Sequence, residues 1–205
     1  MYDLYGKNFL FLGSSVTEGS ASHGWAIPEY FQVKYGCNVT KEAVSGTTLA
    51  DIDNNSYVRR LCNNVSKVQH FDAVVCQLST NDAAQELPLG KISKEDSQGE
   101  YDRKTILGAM EYIIDYAQKT WNCPVIFYTN SKYENERYHQ MVDKLHELAQ
   151  KWTIGVIDLW SDEDFNLISD SMREMYMRDE IHPTRAGYAQ WWGPVIEEQI
   201  VKFMS

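Results

Sequence analysis

Short runs with apolar side chains at nearly every position alternate along the chain with longer stretches whose apolar residues recur at helical spacing. Phe9-Leu10-Phe11-Leu12 is the first such run. Unbroken apolarity over a strand length is what a strand covered on both faces requires. Runs of the same kind recur at 38–44 (weaker), 72–78, 124–129 and 154–159, which predicts five strands. Between them the spacing predicts helices over 22–35, 57–69, 103–121, 134–151 and 184–204. Pro28 falls near the first turn of its helix and Gly36 closes it, as their backbone preferences favour. Ile106, Leu107, Met110, Ile113, Ile114 and Ala117 share one face of the 103–121 helix. A short helix is expected over 161–169, with Asp162, Glu163 and Asp164 in the first turn, where the helix dipole favours negative charge. Residues 171–180 read as irregular. Residues 86–102 carry Pro88, Gly90, Gly99 and many charges without a period. They read as a long loop, a length shared by lids, binding loops and solvated excursions.

Strand and helix alternate five times. That order predicts an α/β chain, a three-layer α/β/α sandwich around a mostly parallel five-stranded sheet with right-handed crossovers. At 205 residues the chain is expected to be one domain with one well-buried core. The formal net charge of −10 argues against nucleic acid and anionic membranes as partners. No apolar run approaches the length of a bilayer span. Residues 1–7 show no basic segment leading into an apolar one, so a cytoplasmic location is expected if Met1 is the native start. Cys37, Cys62, Cys76 and Cys123 lie far apart without CxxC spacing and read as reduced thiols, mostly filling the core. No metal or organic cofactor is expected. His139, Asp143 and His146 share a helix face, which reads as surface chemistry more readily than as a metal site.

In a parallel sheet all strand C-termini lie on one edge, where ligands bind. Ser14 and Ser15 follow the first strand, Gly46 the second and Asn81 the third; Asp179 and His182 precede the last helix. A hydroxyl, a glycine exposing its backbone N–H, a side-chain amide and an Asp-x-x-His pair are the parts of an acyl-transfer site. The residue types alone leave two choices open. Ser14 is as nucleophilic as Ser15, and Asp158, at the end of the fifth strand, is a second candidate for the acid beside His182.

Four blocks carry a family resemblance. Gly13-Ser14-Ser15-Val16-Thr17-Glu18-Gly19, Ser45-Gly46, Ser79-Thr80-Asn81-Asp82 and Asp179-Glu180-Ile181-His182-Pro183 resemble, in order and over nearly the whole chain, the blocks of SGNH hydrolases, also called GDSL lipases/esterases. The resemblance implies the flavodoxin-like SGNH fold. It implies Ser15 as nucleophile, His182 as base and Asp179 as the acid that orients it. The oxyanion hole would be built from Asn81 and the backbone N–H groups of Gly46 and Ser15. Two positions depart from the family pattern: Ser14 stands where Asp is usual and Ser79 where Gly is usual.

The function expected on this footing is a serine ester hydrolase acting on a small-molecule ester, with a small acyl group such as acetyl on a carbohydrate. Lysophospholipase or thioesterase activity lies within the same family's range. A non-catalytic carbohydrate- or acyl-binding protein on the same scaffold is the alternative, resting on Ser14 and Ser79. A flavodoxin-like phosphate binder fits the coarse fold, but the first turn has neither a P-loop lysine nor a Gly-x-Gly-x-x-Gly run. His23 soon after the nucleophile turn reads as a helix start, His70 as a connector, and Trp191-Trp192 as core aromatics.

Overall fold

The computed structural model describes residues 3–94 and 99–205. Five strands form one sheet in the order β2-β1-β3-β4-β5. They are β1 (Asn8–Gly13), β2 (Asn38–Ala43), β3 (Ala73–Gln77), β4 (Val125–Tyr128) and β5 (Gly155–Ile157). Every neighbouring pair is parallel, so the expected α/β sandwich is the fold observed. After β2 the chain crosses back over β1 to build β3. The switch in winding direction therefore falls between β1 and β3, where such sheets open a crevice at the strand C-termini.

Strand alternation sorts the core into two halves. Leu10, Leu12, Val74, Cys76, Val125 and Phe127 face one side; Phe9, Phe11, Ala73, Val75, Ile126 and Tyr128 face the other. A one-turn helix, α1 (Ser15–Glu18), follows β1 directly, and α2 (Ile27–Tyr35) returns along the second side. The first side is covered by α3 (Tyr57–Asn64), then, beyond the short α4 (Thr80–Ala84), by α5 (Ile106–Trp121) and α6 (Glu136–Lys151). The remaining helices are α7 (Glu163–Asn166), α8 (Asp170–Tyr176), α9 (Arg185–Gly187) and α10 (Gly193–Met204).

Several elements differ from the expectation. The helix expected from residue 22 starts at Ile27, because His23 and Gly24 both take left-handed backbone. Pro28 stands at its second position, and the Glu29 carboxylate accepts the Ala26 N–H at 2.8 Å to close the first turn. The helix expected over 57–69 ends at Asn64, where Val65 turns extended. Within residues 171–180, expected to be irregular, the chain forms most of α8 (Asp170–Tyr176), capped by the Ser169 hydroxyl, which accepts the Met172 N–H. Its Met172 and Met175 are exposed, so no apolar stripe marks it. The last helix is not regular throughout, because α9 passes into α10 through a π turn at Tyr188–Trp192. Trp191 and Trp192 are buried there, as expected, and Trp191 stacks on Phe165 at 4.6 Å.

The long loop is tied down where it is described. Leu87, Leu89 and Ile92 pack against the first-side core, and Ser93 bonds to Glu111. Residues 95–98 of that expected loop lie outside the described residues. The four cysteines are free thiols. Among the described residues no helix is long and apolar enough to cross a membrane.

Candidate active site

The site starts from the turn after β1. Gly13 ends the strand, and Ser15 opens α1 with only 7% of its surface exposed. This turn is held by a polar residue inside the central strand. The Gln77 Oε1 accepts the N–H groups of Ser14 (3.0 Å) and Thr17 (3.2 Å) and the Thr17 hydroxyl (2.8 Å). Thr17 Oγ1 also lies 2.6 Å from the Tyr128 hydroxyl. Position 13 has no room for a side chain, since a Cβ there would fall 1.8 Å from Thr17 Oγ1 and 2.9 Å from Gln77 Oε1. One buried amide thus fixes the backbone on both sides of Ser15.

His182 reaches Ser15 from a tight hairpin. The Arg178 N–H donates to the His182 carbonyl, Met177 and Pro183 form an antiparallel bridge, and the Thr184 N–H donates to the Tyr176 carbonyl. In this hairpin His182 Nε2 lies 2.8 Å from Ser15 Oγ, and Nδ1 lies 2.9 Å from both Asp179 carboxylate oxygens. Asp179 Oδ1 also accepts the backbone N–H groups of Ile181 and His182, each at 2.8 Å. Burial raises the Asp179 pKa, but these bonds and the His182 ring together hold it below the usual carboxylate value. Asp179 therefore stays ionised, as a group orienting an imidazole must. Asp158, the other candidate acid, is engaged elsewhere: it lies 2.7 Å from His146 Nε2 and accepts from Ser161 N–H. That leaves Asp179 at His182.

Asn81 is the second residue of α4, whose cap is the Ser79 hydroxyl on the Asp82 N–H. The departure from Gly at position 79 therefore has a structural use. One Asn81 amide N–H donates to the Thr47 carbonyl at 2.9 Å, which leaves the second for a ligand. Gly46 lies in the loop after β2 with φ +79°, a conformation that disfavours side chains. Ser15, Asn81 and His182 line one cavity of about 130 Å³ with Thr80, Ala84, Tyr133, Asn135 and Ile181. Asp179 stands behind His182, and Gly46 is not among the lining residues.

Three supporting residues were not anticipated as such. Gln77 is one. Arg60 is 3% exposed and donates from Nη2 to the Gly13 carbonyl (2.7 Å) and to Thr47 Oγ1 (3.1 Å), which joins the nucleophile turn to the Gly46–Thr48 loop. Asp82 is fully buried and accepts the N–H groups of Leu49 (2.7 Å) and Ala50 (2.9 Å). Burial pushes its pKa up to about 6. Gln77 left a signal, a polar residue in an apolar run, and Asp82 stands inside a recognised block. Arg60 left none. Ser14 is buried beside the Tyr57 phenol, and neither hydroxyl makes a hydrogen bond of normal geometry. Nothing in the structure explains serine rather than Asp there.

Three other histidines are paired with acids elsewhere. His139 pairs with Asp143 at 3.9 Å, His70 with Asp72 at 3.9 Å and His146 with Asp158. Among the described residues no three His, Cys, Asp or Glu side chains converge as a metal-ligand set.

The sequence profile of the GDSL-like lipase/acylhydrolase family matches residues 11–190, and the chain belongs to that family. By family it is an esterase- or lipase-like hydrolase. The matched stretch contains every site residue named above. In structure the chain is similar to a protein from Lactobacillus plantarum (TM-score 0.75, 17% identity, covering 98% of this chain and 97% of that one). It is also similar to a protein named as a GDSL-like lipase from Bacteroides ovatus (TM-score 0.63, 19% identity, 97% of each). A family two carbohydrate esterase from Clostridium thermocellum, solved in complex with cellohexaose, is similar over 95% of this chain and 64% of its own, with TM-score 0.65 and 12% identity. At these identities the likeness is one of fold. No curated protein matches the chain by sequence.

Proposed function

We propose that the protein is a serine ester hydrolase that removes a small acyl group, with acetyl on a carbohydrate as the favoured substrate class. The observation that carries this reading is His182, bridged between Ser15 Oγ and the Asp179 carboxylate at hydrogen-bond distance on both sides. Asp179 orients the ring so that Nδ1 carries the proton and Nε2 accepts that of Ser15. The Ser15 oxygen attacks the ester carbonyl carbon, and negative charge moves onto the carbonyl oxygen. The free Asn81 amide N–H and the backbone N–H groups of Gly46 and Ser15 receive that charge. Collapse of the intermediate breaks the bond to the alcohol oxygen, which takes the proton from His182 and leaves. The acyl group stays on Ser15 until water, deprotonated by the same imidazole, releases the acid. The proton steps use groups already in hydrogen-bond reach, Ser15 Oγ, His182 and Asp179.

The cavity size supports a small acyl group, and the carbohydrate-esterase neighbour supports the choice of alcohol. Ser15→Ala removes the nucleophile. Hydrolysis of p-nitrophenyl acetate is expected to fall by roughly 10⁴–10⁶-fold, and covalent labelling by a fluorophosphonate is expected to vanish. A wild-type protein that takes no label would instead be a binding protein on this scaffold.

A further inference from the structure

We infer that Tyr133 sets the acyl-chain length, as the wall that separates the small reaction chamber from two larger grooves beside it. The inference rests on the serine-hydrolase reading and goes beyond it to one residue and one selectivity. Tyr133 lines the chamber of about 130 Å³ that holds Ser15, Asn81 and His182. It also lines a groove of about 480 Å³ with Arg173, Met177 and Asp179. A third space, of about 560 Å³, has Tyr133 beside His139 and Trp160. One residue is thus shared by all three walls.

The chamber is small. A cavity of about 150 Å³ holds a ligand the size of benzene, so the chamber has room for one small group. Sites that enclose drug-sized ligands run to roughly 300–1,000 Å³. Each neighbouring groove is in that range. The acyl group must fit the chamber, because it remains bonded to Ser15 after the alcohol has left. An acetyl or butyryl group fits there, whereas an octanoyl chain running on into either neighbouring groove has to pass through the space that Tyr133 fills.

The wall is fixed in place. The Tyr133 ring packs edge-on against Trp160 at 4.8 Å and tilted against Tyr138 at 5.2 Å. The preceding backbone is held by the Asn130 N–H on the Tyr138 hydroxyl (2.8 Å) and the Lys132 N–H on Asn166 Oδ1 (2.9 Å). Two residues on, Asn135 caps α6 through the Tyr138 N–H. The Tyr133 hydroxyl itself is buried without a hydrogen-bond partner, so the ring is held by packing and its oxygen is not needed to hold the wall.

The test is a chain-length profile on p-nitrophenyl acetate, butyrate and octanoate, with active sites counted by fluorophosphonate labelling. Wild type is expected to lose kcat/KM steeply beyond butyrate. Tyr133→Ala is expected to raise the octanoate-to-acetate ratio of kcat/KM at least about tenfold, the scale on which pockets discriminate methylenes. Tyr133→Leu keeps apolar contact with Trp160 and Tyr138 if the alanine variant does not fold, and is expected to shift the ratio in the same direction by less. Tyr133→Phe keeps the wall and is expected to keep the wild-type profile. An unchanged ratio in a labelled, folded Ala or Leu variant overturns the inference while leaving the serine-hydrolase reading standing. Absence of labelling in wild type overturns both.

Discussion

Asp82 and Glu111 are both fully buried carboxylates, and they have opposite surroundings. Asp82, beneath the candidate active site, accepts two backbone N–H groups and makes no ion pair among the described residues. Burial outweighs those bonds and pushes its pKa up to about 6. Glu111, in the middle of α5, accepts from Lys151 Nζ (2.7 Å), Trp152 Nε1 (3.1 Å) and the Ser93 N–H (2.7 Å) and hydroxyl (2.9 Å). Burial acts upward on it too, but the four bonds together hold its pKa below the ordinary value. A carboxylate that anchors a loop far from the chemistry is matched by a cation and stays charged. The one that holds the loop after Gly46 is left poised near neutrality.

The two groups push stability in opposite directions with pH. The folded-state pKa of Asp82 lies above its unfolded value, so the native state binds that proton more tightly. Its contribution is fully present below about pH 4 and is lost as pH rises through about 6. The folded-state pKa of Glu111 lies below its unfolded value. Its contribution is present at neutral pH and is lost as pH falls below the ordinary carboxylate range.

The sharpest way to break this comparison is Glu111→Ala. It removes the carboxylate that accepts from Lys151, the Trp152 indole and Ser93, while Lys151 keeps its bonds to the Ser93 carbonyl (2.6 Å) and hydroxyl (2.7 Å). Breaking a buried ion pair costs about 3–5 kcal/mol, and the lower end is expected here because the Lys151 side chain is 20% exposed and can turn to water. Urea unfolding measures the loss, and kcat per labelled site is expected to stay at the wild-type value. A fall in kcat would mean that the two regions are not independent. Asp82→Asn is the next largest. The amide cannot accept both the Leu49 and Ala50 N–H groups, which costs about 1–3 kcal/mol. It also lets the loop after Gly46 shift, for a loss of up to about 10²-fold in kcat. Unchanged kcat would make Asp82 as purely structural as Glu111. The smallest effect is the pH slope. Between about pH 4 and 6 Asp82 lowers wild-type unfolding free energy by at most about 1.4 kcal/mol per pH unit as pH rises. The difference between wild type and Asp82→Asn isolates it, and a flat difference would contradict the raised pKa.

The fold was legible because β1 and β3 are apolar at both parities, a pattern few other environments tolerate. Element ends were less so. Where Val65 stops α3 or where His23 delays α2 depends on backbone conformations that side-chain hydropathy does not encode. Helix α8 was invisible to a periodicity argument because its methionines face solvent. Of the site, Ser15 and the Asp179–His182 spacing were visible as local patterns. The resemblance of the Asp-x-x-His block pointed to Asp179 rather than Asp158, but the residue types alone did not, since the engagement of Asp158 by His146 on α6 exists only in the folded chain. Arg60 and Asp82 act across the chain on Gly13, Thr47, Leu49 and Ala50, and their roles exist only once the loops are folded together. Ser14 shows the converse: its backbone N–H does the work at Gln77, so the side chain there was free to change without losing that bond.

The π turn at Tyr188–Trp192 has a consequence for how this chain varies. One extra residue in a turn slips the phase of everything after it by roughly 100°. On the near side, the Tyr188 hydroxyl donates to the Val16 carbonyl at 2.7 Å and Thr184 closes the His182 hairpin. On the far side, Ile196 and Ile200 pack under the sheet, and Glu197 accepts from Tyr30, Lys34 and Tyr35 on α2. The helix therefore carries two angular settings on one axis, one for the His182 hairpin and one for the scaffold. Selection can rotate either set of contacts by gaining or losing a residue at the turn while the other keeps its orientation.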